Sequence, residues 1–139
     1  MDKKNLVILA VVFGMLTCGS LSWAGVNLAL VTAKTHPNAS GTASFSEHGL
    51  SIKAKGLQPE KVYTVWFVNM KPKKHEIGAG NPPYMFKTDS YGNGIYETSL
   101  SELPFGKWSM LMVVLHPSGD PKEMKNMVGA VSAKIPVNR

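Results

Sequence analysis

From Val26 onward the chain runs in short stretches where apolar and polar residues alternate, each closed by glycine, proline, asparagine or aspartate. A period of two is the signature of strands with one buried face. Leu50 to Lys55 is the clearest case, with Leu50, Ile52 and Ala54 on one side and Ser51, Lys53 and Lys55 on the other. It predicts a hairpin with Gly41 to Glu47 through the reversal Glu47-His48-Gly49. Two stretches break the alternation by being apolar at most positions on both faces, Val62 to Met70 and Trp108 to Leu115. Strands of that kind are covered on both faces. They are the expected centre of the fold, with Trp66 and Trp108 expected to be buried.

The remaining elements follow from the punctuation. Val26 to Lys34 opens the domain, and Tyr84 to Lys87, Ile95 to Leu100 and Met127 to Ile135 complete it. Asp89 to Gly94 is a strong turn, because Gly and Asn accept positive φ. Lys71 to Pro83 reads as a single long loop rich in Pro and Gly, and loops of that length in compact domains tend to be functional. With no run of helical period, the prediction is an all-β, immunoglobulin-like antiparallel β-sandwich of seven to eight strands spanning residues 25 to 139.

Residues 1 to 24 have a different character: Lys3 and Lys4, an apolar run from Leu6 to Leu16, then small residues ending in Ser22 and Ala24. This is the layout of a signal peptide, and the run is short of the ~20 residues a membrane span needs. The expected mature chain starts at Gly25, is periplasmic or extracellular, and is not integral to the membrane. The lone cysteine, Cys18, would leave with the signal; the alternative is a lipoprotein anchored through it.

The formal charge of +6 comes mostly from lysine, since Arg139 is the sole arginine. Nucleic-acid binding would call for a basic stripe interleaved with arginine or aromatic residues; none is present, and no nucleic-acid partner is expected. Four histidines and six methionines lie after Gly25, and imidazole with thioether suits copper. If strands alternate in direction, His48, His75 and Met85 fall at one end of the fold and His36, His116 and Met124 at the other. Copper binding through one of these half-sites is therefore the alternative to a cofactor-free protein. Catalysis has less support: there is no nucleophilic cysteine after Gly25, no Gly-x-Ser-x-Gly elbow and no paired carboxylates.

The best candidate for recognition is the long loop and its flank, with Lys71, Lys73, Lys74 and His75 followed by Asn81 and Tyr84. Charge, amide and aromatic groups on a Pro-stiffened loop form a common kind of binding surface.

Gly56-Leu57, Pro59, Tyr63, Trp66, Phe86, Asp89 and Gly92 together resemble a pattern of bacterial exported sandwich domains, including the outer domain of anti-sigma-K factors. Gly41, Phe45, Gly56 and Leu57 also resemble the strand and loop of copper-zinc superoxide dismutase and chordin-domain sandwiches. The dismutase His-x-His pair is missing from Tyr63 to Phe67, so the resemblance implies sandwich architecture and no dismutase chemistry. The expected function is an exported, non-enzymatic module that binds an envelope protein or polymer or serves as a structural component of the envelope.

Overall fold

The computed structural model describes residues 25 to 138, and the signal-peptide and Cys18 expectations lie outside them. The described chain is all-β. Nine strands run in order: β1 (Val26–Thr32), β2 (Ser40–Phe45), β3 (Gly49–Lys55), β4 (Val62–Asn69), β5 (His75–Gly78), β6 (Met85–Lys87), β7 (Gly94–Ser99), β8 (Met110–His116) and β9 (Val128–Lys134). They form one antiparallel sheet in the order β5-β4-β8-β9-β1-β2-β3-β7, with β6 also on β4. The sheet curls into a half-barrel. β1 makes this possible by serving two neighbours, β2 along Val26 to Leu30 and β9 at Val31 and Thr32.

The core lies in the concavity. Tyr63, Val65 and Phe67 of β4 point into it and meet Phe45, Ile52 and Tyr96 from the far half. Tyr63 stacks on Phe86 at 5.5 Å, and Phe45 on Phe67 at 6.4 Å. The opposite face of β4 is also closed, with Thr64 and Val68 fully buried. Thr64 is sealed by polar partners: the Trp66 indole N–H donates to its hydroxyl oxygen at 2.8 Å, and the His116 ring lies 2.6 Å away.

Three expectations need correction. The described residues form nine strands and not seven to eight. Trp66 and Trp108 are only half-buried; the large buried side chains include Tyr63, Phe45, Ile52 and Leu111. Apolar character was a sound guide to the strands but not to which residue faced the core, because Trp66 sits on the outer face and Trp108 precedes β8. The segment from Lys71 to Pro83 is not one long loop either. Residues His75–Gly78 form β5 and pair with β4 from Trp66 to Asn69. Ala79, just after β5, is fully buried.

Candidate functional site

The two edges of the curled sheet come together at a seam. On one side are β5 and β6, which pair with successive parts of β4. Between them the chain leaves the ladder, held by Ala79 N–H donating to Val65 O and Val65 N–H donating to Tyr84 O, each at 3.0 Å. This excursion reaches β7 on the other side. The Tyr96 hydroxyl donates to Ala79 O at 2.5 Å, Asn81 N–H donates to Thr98 Oγ1 at 2.9 Å, and the Asn81 amide donates to Ser99 Oγ at 3.3 Å. Gly80 fits beneath this stitching because it has φ +97° and no side chain; a Cβ there would lie 2.1 Å from Thr98 Oγ1.

Beyond the stitches the seam opens. A cleft of about 400 Å³ lies between Ile77, Gly78 and Gly80 on one wall and Ser99 to Glu102 on the other, with Phe67, Leu103 and Trp108 contributing apolar surface. Ile77 is 44% exposed. Among the described residues β5 pairs with β4 alone, and its other backbone edge carries no strand. Trp108 is fixed beside the cleft by Asn69, whose amide donates to Lys107 O at 2.9 Å and whose oxygen accepts Ser109 N–H at 2.8 Å.

The predicted binding residues divide around this feature. Asn81 lines the cleft. His75 packs on Trp108 with ring centroids 5.8 Å apart. Lys71, Lys73 and Lys74 are exposed on the turn between β4 and β5, and Lys74 approaches Glu76 at 3.9 Å. Tyr84 belongs elsewhere: its ring covers Gly78 and tilts against Trp66 at 5.6 Å, on the outer face of the sheet. Leu103, Ser99, Ser101, Glu102 and Trp108 were absent from the sequence-derived site. Their signal was two apolar residues, Leu103 and Phe105, in a segment otherwise readable as a plain turn.

The histidines occupy separate surroundings. His48 is exposed on the turn between β2 and β3, 4.0 Å from Glu47, whereas Met85 lies on β6 opposite Thr64. His36 is buried in a chain of bonds whose directions are fixed by its ends. Thr35 donates to Gly129 O at 2.6 Å, so its oxygen is left to accept His36 Nδ1–H at 2.9 Å. Tyr63 accepts Gln58 N–H at 2.9 Å, and its hydroxyl donates to His36 Nε2 at 3.1 Å. Burial without a counter-charge holds the His36 pKa below its ordinary value, and burial raises that of Tyr63 against the opposing Gln58 bond. In His116, Nδ1–H donates to Glu123 O at 3.0 Å while Nε2 accepts the Thr64 hydroxyl. Met124, next to Glu123, is 48% exposed. Among the described residues no three His, Cys, Asp or Glu side chains gather into a metal-sized cluster.

Leu57, Asp89 and Gly92 of the anti-sigma-like pattern meet in space. Leu57 N–H donates to Gly92 O at 3.1 Å, and Asp89 accepts the N–H groups of Tyr91 and Asn93 at 2.8 and 2.9 Å. They therefore encode two turns that pack together. The chain matches no family model, no curated protein and no solved structure.

Proposed function

We propose that this protein is an exported, non-enzymatic β-module that binds an extended apolar segment of an envelope partner in the seam cleft. The observation that carries this reading is the coincidence of an unpaired strand edge, β5, with a cleft of about 400 Å³ in which Phe67, Leu103 and Trp108 offer apolar surface among polar groups. An extended peptide on such an edge gains backbone hydrogen bonds, and alternate side chains enter the adjoining pocket. The volume lies in the range typical of ligand sites, ~300 to 1,000 Å³. His75 and the lysines of the β4 to β5 turn then flank the bound segment, and Asn81 offers it an amide.

The reading needs no metal. It is supported at one end of the fold by the engagement of both ring nitrogens of His36 and of His116, which leaves neither ring free to join Met124 around copper without breaking a buried bond. At the finer level of architecture we propose a two-layer sandwich with β1 shared between the layers. The immunoglobulin-like and dismutase-like or anti-sigma-like kinships belong to this proposal, supported by Gly41 and Phe45 sharing β2 and by the paired turns at Leu57 and Gly92.

Selection of extended peptides from a displayed library tests the binding reading. The chain should enrich peptides with alternating apolar residues, and Ser101→Trp, which fills the cleft from its exposed wall, should lose them while melting like the parent. Equal enrichment by the two forms would place recognition elsewhere.

A further inference from the structure

A second surface, which shares Trp108 and the lysine turn with the rim of the cleft, lies where β4 ends. Asn69 clamps Lys107 and Ser109 with its two side-chain bonds, which holds the β7 to β8 connection against the start of the lysine turn. A shallow hollow of about 170 Å³ joins Asn69, Gly106, Lys107 and Trp108 to Ile135 and Val137, bringing in the chain's C-terminal part. Three segments distant in sequence thus converge on one end of the half-barrel.

The composition of that end is unusual. Met70 is 54% exposed and Val137 73% exposed, and neither packs into the core. Trp108, which lines the same hollow as Val137, is half-buried. Lys71, Lys73 and Lys74 follow Met70 on the turn into β5, all exposed. The nearby carboxylates are already engaged, Glu76 by Lys74 at 3.9 Å and Glu102 by Lys107 at 2.5 Å. Lys71 and Lys73 have no carboxylate within 4.0 Å among the described residues.

We propose that this end docks on a lipid bilayer carrying anionic headgroups, with Met70 and Val137 entering the interface and the lysines contacting the headgroups. Charge complementarity selects the bilayer's sign, since the uncompensated groups here are cations on a chain of net charge +6. The exposed apolar pair selects a bilayer over a soluble polyanion, which would offer Met70 and Val137 nothing to bury them. Trp with Lys at one rim is the composition that interfacial segments use. Attachment through a surface patch of this kind is reversible and salt-sensitive, and weakens as ions screen the lysines.

The test uses the exported protein, which on the expected start at Gly25 has no cysteine of its own, with a polarity-sensitive fluorophore on Met70→Cys or, for comparison, on Ile95→Cys. Ile95 is 61% exposed and sits on the other half of the sheet. Vesicles of phosphatidylcholine alone are compared with vesicles containing phosphatidylglycerol. The expected result is a blue shift at position 70 that requires the anionic lipid, with little change at position 95. Lys71→Gln/Lys73→Gln/Lys74→Gln should weaken vesicle binding by on the order of 100-fold, from the contribution of each lysine near an anionic surface, while leaving the melt unchanged. Equal binding by the lysine variant would overturn the proposal. So would a fluorophore shift of the same size on neutral vesicles, or tight binding of dextran sulfate combined with no shift on anionic vesicles, which would make the surface a polyanion site.

Discussion

Tyr96 on β7 donates its hydroxyl to the backbone oxygen of Ala79 across 2.5 Å, and so ties one edge of the curled sheet to the other without a ladder. Both residues are buried. Removing the donor leaves a buried carbonyl without its partner, which costs ~1 to 3 kcal/mol. Tyr96→Phe is therefore expected to lower stability by about that amount, as read from urea unfolding, and to raise hydrogen exchange at Asn81 N–H. A variant with parental stability would show that the seam is held by other contacts.

Gly80 and Gly119 make a controlled pair. Both have positive φ, +97° and +82°, yet a Cβ on Gly80 would meet Thr98 Oγ1 at 2.1 Å whereas one on Gly119 would meet nothing within 4 Å. Gly119→Ala should cost only the left-handed backbone penalty, ~1 to 2 kcal/mol. Gly80→Ala adds displacement of Thr98 and loss of its bond from Asn81, so its thermal midpoint should fall further. Similar midpoints for the two variants would mean that the Gly80 segment is not packed against β7.

His36 predicts an acid-side loss of stability. Its folded pKa lies below the ordinary 6.5 because of burial, so below pH ~6.5 the unfolded chain binds a proton that the folded chain excludes. The contribution is constant above that value and falls as pH drops toward the folded pKa, by at most ~1.4 kcal/mol per pH unit for one proton. Protonation would also place a hydrogen on Nε2, where Tyr63 now donates. Urea titrations from pH 7.5 to pH 5 should show the slope in the parent and a flatter curve in His36→Phe, whatever the variant's absolute stability. An unchanged slope would assign the effect to other groups.

The aromatic residues should rank by burial and not by size. Phe45 is 2% exposed and packs on Phe67 and Phe105, so Phe45→Ala should cost ~3 to 5 kcal/mol. Trp108 is half-buried at the cleft, and Trp108→Ala should cost clearly less while impairing peptide capture. If Trp108→Ala proves the more damaging in chemical unfolding, Trp108 is a structural keystone and not part of a binding surface.

The strands were legible because their physics is local. Alternation at Leu50 to Lys55 and the apolar run at Val62 to Met70 translate directly into β3 and β4. What failed depended on distant partners. β5 has only four residues, and its polar His75 and Glu76 look like loop until β4 supplies the ladder. Trp66 looked like core, but the parity of β4 assigns that face to Tyr63 and Phe67. The basic turn could be read from Lys71, Lys73 and Lys74, and Asn81 was found for its amide. The cleft beside them could not, because Leu103 and Trp108 reach Ile77 only through the curl of the sheet and the Asn69 clamp. For the same reason the link from Lys71 to Pro83 is not dispensable: replacing Pro72 to Asn81 would remove β5, the buried Ala79 and the stitches to β7.

Site-specific photo-crosslinking in cells that make the protein tests the proposed binding site most directly. A photoreactive side chain at Ile77, in the cleft wall, is compared with one at Ile95, which is exposed on β7 away from it. The expected outcome is a discrete adduct from position 77 that is absent from position 95 and disappears when Ser101→Trp is added. Identical adduct patterns from the two positions, or an adduct at 77 that survives Ser101→Trp, would contradict the assignment of the seam cleft as the place where this protein meets its partner.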